Sequence, residues 1–320
     1  MMRIFIYEFT CAASAASLHA PEVRSLSPEG AAMLAAVTED FAGISGCEVI
    51  TLPPGEAEEI AFRRAAQLAD ATLVIAPEFD HLLAQRCQWV RDEGGFCLNP
   101  SAEGIALGSD KWRLAEHWRN MGVPTPETLL ADESPPPWSS WVLKPRFGAG
   151  SLDTQVNGPP RPRGELGPMI VQPWLHGVAA SVAFLCGPGQ IVAMPPAAQQ
   201  LSRDGTLKYL GGKVPLPEPW SSRALKIATK AARAIPGLCG YVGIDVLLGE
   251  DGNDWAIEMN PRLTTSYLGL RKKARFNLAA AIWCIARGEP PPEMRWSADE
   301  VEFAADGTVV VTSSVSSRIH

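Results

Sequence analysis

The sequence predicts an α/β protein, with an open Rossmann-like sheet first and two α+β lobes after it. Three observations predict this. The first hundred residues alternate short apolar runs with amphipathic stretches over short links, the pattern of a parallel sheet with crossover helices. At the end of a short strand, Lys144 leads into Pro-Arg-Phe-Gly148-Ala-Gly150-Ser151, a glycine-rich loop. Further on, two apolar runs flank Asp251-Gly252, a hairpin turn pair.

Taken in order, Arg3–Phe9 is a short apolar strand. Pro28–Phe41 reads as a helix, with Ser27 as N-cap and proline in the first turn. Glu48–Leu52 is a strand, Glu56–Ala69 a helix, and Ala71–Ala76 a continuous apolar strand suited to the middle of a parallel sheet. Phe79–Arg91 is a third helix and Phe96–Asn99 a fourth strand. Ser109–Met121 is a helix capped by Ser109 or Asp110, and Gly122-Val-Pro-Thr-Pro126 breaks regular structure after it. Asp132–Ser140 is a proline-rich loop, Trp141–Lys144 a strand, and Asn157–Gly167 a mobile loop rich in Pro, Gly and Arg. Met169–Gln172 and Ser181–Leu185 are strands around a Pro-Trp-Leu-His-Gly connection. Ser221–Ile235 and Arg271–Arg287 are helices, and Gly307–Thr312 is a last strand before a fraying tail. These elements group into an N-terminal α/β unit (1–105), a central lobe carrying the glycine loop (106–177) and a C-terminal lobe carrying the hairpin (178–320).

Bulk properties narrow the function. A net charge of −7 and no arginine-rich tract disfavour nucleic-acid binding. No apolar run approaches the ~18 to 20 residues of a membrane helix. The N-terminus lacks the long apolar stretch of a signal peptide. Seven scattered cysteines without a CxxC pair read as reduced thiols of a cytoplasmic protein. Five scattered histidines make no zinc spacing, and neither GxSxG nor GxGxxG occurs, so zinc and serine hydrolases and dinucleotide enzymes are not indicated.

The hairpin is the most informative feature. With Asp251-Gly252 at its tip, Asp245 lies opposite Glu258, and Asn260 shares the face of Glu258. The other face carries Ile244, Val246, Leu248, Trp255, Ile257 and Met259, a core face. Two carboxylates and an amide gathered at one end suit Mg²⁺, which is usually held by one or two carboxylates plus substrate phosphates. An ordinary solvent-facing polar hairpin is the alternative. In the glycine loop, backbone N–H groups can approach an anion closely while Lys144 supplies a compact charge. Taken alone, the loop reads more readily as a plain turn, and Lys111, in the first turn of its helix, as a surface lysine. Most of the ten tryptophans read as core, although Tyr267 and several of them suit an aromatic pocket.

In combination, Ser109-Asp-Lys111, Gly122-Val-Pro-Thr-Pro126, Val142-Leu-Lys144-Pro with its glycine loop, Gly243-Ile-Asp245 and Glu258-Met-Asn260-Pro-Arg262 resemble the ATP-grasp superfamily of carboxylate–amine ligases. The resemblance covers about residues 105 to 290 and implies an ATP-grasp fold behind a Rossmann-like, pre-ATP-grasp domain. It implies that Lys111 and Lys144 contact the nucleotide phosphates and that Gly148, Gly150 and Ser151 close over them. Gln172, Pro173, Trp174 and Leu175 match the connection that meets the adenine. Asp245, Glu258 and Asn260 match the ligands of Mg²⁺, with Mn²⁺ as an alternative. Arg262 and Lys144 match catalytic residues, and Arg262 with Thr264 and Thr265 is the carboxylate grip for an amino-acid substrate; Thr264-Thr265-Ser266 as a helix cap is the other reading. The family often places a ribose-holding carboxylate after the lobe connection, but His176-Gly-Val-Ala-Ala180 offers none. More narrowly, Ile6-Tyr-Glu-Phe, Ser27-Pro-Glu-Gly-Ala-Ala-Met-Leu34 with Asp40-Phe41, Gly211-Gly212 and Asn260-Pro-Arg-Leu-Thr-Thr265 look like the tyramine–L-glutamate ligases. That implies small-molecule amino-acid and amine substrates, no nucleic-acid or membrane partner, and a place in methylofuran-type one-carbon cofactor synthesis. A homodimer is the default assembly.

Overall fold

A computed structural model describes residues 1–12, 24–53, 55, 58–131, 136–159, 163–164 and 167–313. Residues 132–135 of the expected proline-rich loop, much of 157–167, the first two residues of the expected helix at 56 and the tail from 314 lie outside the described residues.

The chain builds three sheets. The first holds β1 (Met2–Glu8), β2 (Cys47–Ile50), β3 (Ala71–Ile75) and β4 (Phe96–Cys97), in the order β2-β1-β3-β4. All three pairings are parallel, as the strand–helix alternation requires. Helices α1 (Phe9–Ala12), α2 (Ser27–Ala42), α3 (Glu58–Leu68) and α4 (Leu82–Asp92) connect them, and α5 (Ala102–Ser109) and α6 (Lys111–Asn120) lead onward. The second sheet holds β5 (Leu129–Leu130), β6 (Trp141–Pro145), β7 (Gln155–Val156), β8 (Arg163–Gly164) and β9 (Gly167–Pro173), with β6 and β9 antiparallel at its centre. The third holds β10 (Val178–Gly187), β11 (Gln190–Ala193), β12 (Ala197–Leu201), β13 (Tyr209–Val214), β14 (Gly240–Leu248), β15 (Asp254–Asn260), β16 (Glu300–Ala304) and β17 (Val309–Thr312). Its order is β15-β14-β10-β12-β13-β16-β17, with β11 paired to β10. Helices α7 (Trp220–Arg233), α8 (Ser266–Lys273) and α9 (Leu278–Ala286) cover it.

Packing explains why β10 and β14 are mostly apolar, interrupted by Ser181 and Asp245: both faces are largely buried. On one side lies α7, whose Ala224, Ile227, Ala228, Ala231 and Ala232 recur at helical spacing and let it sit close. Trp118 of α6 is fully buried there and donates its indole N–H to the Ala231 carbonyl at 3.1 Å, so its polar tip is satisfied. On the other side, Leu278 and Ile282 of α9 and Leu268 of α8 share a core with Ile4, Ile6 and Leu73 of the parallel sheet. Gly240 makes one of these close approaches possible. Its φ is +69°, and a Cβ there would stand 1.9 Å from the Leu98 carbonyl oxygen.

Several elements depart from the sequence-based expectation. Helix α2 begins at Ser27 itself; Leu26 occupies the cap position and no side chain caps it. The expected helix over Phe79–Arg91 is broken, because Asp80 and His81 take positive φ and leave a 3₁₀ turn before α4. The expected helix over Ser109–Met121 is α6, with Asp110 as its cap, and a short helix that the sequence did not signal, α5, stands just before it. Ser101 caps α5 through the Gly104 N–H, and Asp110 then caps α6 through the Arg113 N–H. Within the Asn157–Gly167 loop, Arg163–Gly164 pairs with β9. Among the described residues no helix is long and apolar enough to cross a membrane.

Candidate active site

The hairpin β14–β15 delivers Asp245 opposite Glu258, but not by the expected route. The turn closes one residue wider, with Gly249 N–H bonded to the Asn253 carbonyl, so three residues form the loop. The ladder then shifts at Asp245/Val246, where Val246 pairs with Ala256 and Asp245 with Glu258. Ile257 is the extra residue of that bulge. The bulge moves the faces of β15: Ala256 and Met259 enter the core, Trp255 is half-buried, and Ile257 lines a cavity beside Glu258. Trp255 and Ile257 were expected in the core face; the inserted residue is why they are not.

That cavity has a volume of about 360 Å³, the size of a small-molecule site. It lies where the second and third sheets meet, and it collects almost every residue singled out by sequence. Lys111, Lys144, Gly148, Gly150 and Ser151 line it from the central lobe, and Gln172, Pro173, Trp174 and Leu175 from the strand connection. Asp245, Glu258, Asn260, Thr264 and Thr265 line it from the C-terminal lobe.

Local bonds hold these groups together. Lys111 opens α6 and reaches Glu258 Oε2 at 3.7 Å while donating to the Gly148 carbonyl at 2.7 Å. Asp110, cap of the same helix, pairs with Arg146 of the glycine loop at 2.6 Å, so the loop is tied to the helix that bears Lys111. Gly150 and Ser151 both take positive φ to make the loop's turn. Gln172 is buried and donates to Thr128 Oγ1 at 2.8 Å. Asp245 accepts hydrogen bonds from Asn260 Nδ2 at 3.1 Å and Gln199 Nε2 at 3.0 Å. Gln199 carried no sequence signal, since it comes from β12, across the sheet.

Electrostatics mark the same cluster. Burial pushes the Asp245 carboxyl up to about 7, and the charge of Glu258 adds to it. Burial also works to raise Glu258, but Lys111 and Lys144 outweigh it and hold the group below the usual carboxylate range. Lys144 is 7% exposed, and burial pulls its ammonium down to about 8 against the attraction of Glu258. Two facing carboxylates with an amide, one of them left short of positive charge, are a donor set that fits a hard divalent cation. Among the described residues no group of three or more His, Cys, Asp and Glu could hold a metal, so further ligands here would be Asn260 and substrate phosphates.

Arg262 stands apart from the other expected site residues. It does not line the cavity. Its Nε and Nη2 bind both carboxylate oxygens of Glu78 at 2.9 and 3.3 Å, and Nη1 meets the Leu263 carbonyl. Glu78 is 5% exposed and needs this counter-charge, and Arg262 faces a second, smaller pocket that it shares with Glu29. Thr265 does not cap α8 with its side chain; its hydroxyl donates to Glu29 of α2. Among the described residues the acidic side chains lining the cavity are Glu29, Asp245 and Glu258. The stretch after the strand connection contributes His176, edge-on to Trp174 at 5.8 Å, and no carboxylate.

The chain matches the ATP-grasp domain family over residues 108–266 and the pre ATP-grasp 3 domain family over residues 32–105. It belongs to the ATP-grasp superfamily. An ATP-grasp superfamily protein from Archaeoglobus fulgidus shares this fold with a TM-score of 0.73 and 22% identity, over 94% of this chain and 92% of that one. N5-carboxyaminoimidazole synthetase from Staphylococcus aureus, solved with ADP, gives 0.69 at 13% identity, over 94% and 81%. In sequence, this ATP-grasp chain is 27% identical over 202 residues to the tyramine–L-glutamate ligase of Methanocaldococcus jannaschii, covering 63% of this chain and 58% of that protein. It is 27% identical over 183 residues to a D-alanine–D-alanine ligase of Pseudomonas putida, covering 48% and 55%. The matched region thus spans little more than half of either relative.

Proposed function

We propose that this ATP-grasp protein is an ATP- and Mg²⁺-dependent carboxylate–amine ligase that works through an acyl phosphate, with glutamate and tyramine or a similar amine as substrates. The observation that carries the reading is the gathering of Lys111, Lys144, Asp245, Glu258 and Asn260 around one cavity beside a glycine loop. The context would be synthesis of a methylofuran-type one-carbon cofactor. The division into 1–105, 106–177 and 178–320 belongs to the same proposal.

A carboxylate is a poor electrophile at neutral pH. Transfer of the γ-phosphoryl group to it creates a leaving group, but the step brings two anions together, so catalysis is charge neutralisation and positioning. Lys111 and Lys144 face the phosphates from the central lobe. Asp245, Glu258 and Asn260 would hold Mg²⁺ (or Mn²⁺), which would supply positive charge to offset that of the phosphates. Gln199 orients Asp245 for that task. Arg262 acts from behind, because its charge lowers the Glu258 carboxyl while Glu78 keeps it in place. The glycine loop, tethered by Arg146 to Asp110 and by Lys111 to Gly148, covers the phosphates and shields the acyl phosphate from water. Pro173, Trp174, Leu175 and Ile257 give the base an apolar seat.

A second reading keeps the chemistry and exchanges the amine for an amino acid, as the match to D-alanine–D-alanine ligase favours. Purified protein with MgATP and a panel of acids and amines separates the two. Release of ADP and phosphate together with an amide of glutamate and an amine supports the first reading. Product formed from two amino acids supports the second, and no acid-dependent ADP release removes both.

A further inference from the structure

The cavity holds one carboxylate that the phosphate chemistry leaves unused. Glu258 faces Lys111, and Asp245 faces Asn260 and Gln199. Glu29 has neither arrangement. It sits in the first turn of α2, a sixteen-residue helix of the N-terminal unit, and reaches across to the C-terminal lobe. The helix is seated tightly: a Cβ on the next residue, Gly30, would stand 2.4 Å from Glu8 Oε1. Thr265, 3% exposed, fixes the carboxylate by donating its hydroxyl to Glu29 Oε1. Arg262 lies near enough for its charge to attract Glu29, but its guanidinium N–H groups are bound to Glu78. Tyr209, whose phenol feels the charge of Glu29 and the hydroxyl of Thr265, and Phe303 line the same cavity and supply aromatic surface.

A carboxylate fixed at the cavity wall by a hydroxyl, beside two aromatic rings, is complementary to an ammonium group carried on an apolar body. We infer that Glu29 receives the incoming amine as its ammonium ion and takes the proton that must leave before attack. The inference rests on the ligase reading above. The balance is simple. Glu29 accepts one proton from R–NH₃⁺ and later returns it to solvent. The freed nitrogen pair forms the C–N bond, the C–O bond to phosphate breaks, and the second nitrogen proton departs with the phosphate as HPO₄²⁻. The site also sets a substrate class. An amino acid would bring its α-carboxylate beside Glu29, a like-charge clash, so the preferred nucleophile is a primary amine without an adjacent carboxylate.

The test compares two nucleophiles on the full-length protein with glutamate and MgATP. Hydroxylamine is small and largely neutral near pH 7, so it traps the acyl phosphate as a hydroxamate without needing an ammonium receptor. Tyramine needs one. In Glu29→Gln, amide formation with tyramine falls at least ~100-fold, the usual share of a positioned proton acceptor, while hydroxamate formation falls less than about threefold. Glu29→Asp keeps the charge but shortens its reach and lowers amide formation about tenfold with the same spared hydroxamate; it carries the test where Glu29→Gln does not fold. Equal losses with both nucleophiles, or no loss with tyramine, overturn the assignment while leaving the ligase reading intact. A wild-type protein that forms neither product removes the ligase reading and this inference with it.

Discussion

Lys144 offers a perturbation with opposite effects on stability and on binding. Its ammonium is 7% exposed, and burial pulls its pKa from 10.5 to about 8. The folded state therefore holds this proton less readily than the unfolded chain does. The resulting cost is fully present below pH 8, where both states are protonated, and fades as pH rises towards 10.5, where the unfolded lysine also loses its charge. A difference of this size corresponds to about 3 kcal/mol. Lys144→Met removes the buried charge and keeps an apolar stem of similar length. The variant should be more stable than the wild type by up to about 3 kcal/mol at pH 7, with the gain vanishing near pH 10.5. MgATP affinity should fall, since a charge-assisted hydrogen bond to phosphate is worth about 1.5–3 kcal/mol, or roughly 10- to 100-fold. Urea titrations at the two pH values and calorimetric titration with MgATP measure both. A variant less stable than wild type at pH 7 and unchanged in MgATP affinity would refute the idea that Lys144 stores charge for a phosphate.

Further outcomes follow from the same geometry. Asp245→Ala and Glu258→Ala each lose at least ~100-fold in turnover while keeping wild-type circular dichroism, the scale of removing one electrostatic stabiliser; folded variants with near-normal rates would contradict their role. Arg262→Ala leaves Glu78 buried and unpaired, and should cost about 3–5 kcal/mol in denaturant titration. Adding Glu78→Ala should recover much of that loss, whereas an additive double mutant would show that the pair is not coupled. Gly240→Ala forces a side chain against the Leu98 carbonyl at positive φ and should destabilise by more than about 1 kcal/mol; a neutral substitution by thermal melting would contradict the close approach.

Local pattern carried a good part of this architecture. The parallel sheet was legible because β1 and β3 are short, largely apolar strands alternating with helices over short links. Asp245 and Glu258 were paired correctly from Asp251-Gly252, yet two one-residue departures produced that pairing: a wider loop and the bulge at Ile257. A hydrophobic pattern reports which face a residue takes, and a compensating pair of shifts leaves the far end of a hairpin unchanged. The fate of Trp255, which lies between the two shifts, and of Ile257, which makes the second, was therefore not legible. Helix α5 was missed because Gly104 and Gly108 weaken its helical signal in eight residues. Gln199, Glu29 and Glu78 carried no local signature as site residues. Their partners Asp245, Thr265 and Arg262 stand 46, 236 and 184 positions away, and contacts of that range arise from the docking of sheets.

In the proposed reaction the cavity couples a divalent cation and the phosphates of ATP to amide formation. Its most direct test is the stoichiometry of turnover with glutamate, tyramine and ATP, read by nucleotide chromatography and product mass. One ADP and one phosphate are expected per amide, with activity abolished by chelation of divalent cations and restored by Mg²⁺. Release of AMP, or amide formation that persists in chelator, would contradict it.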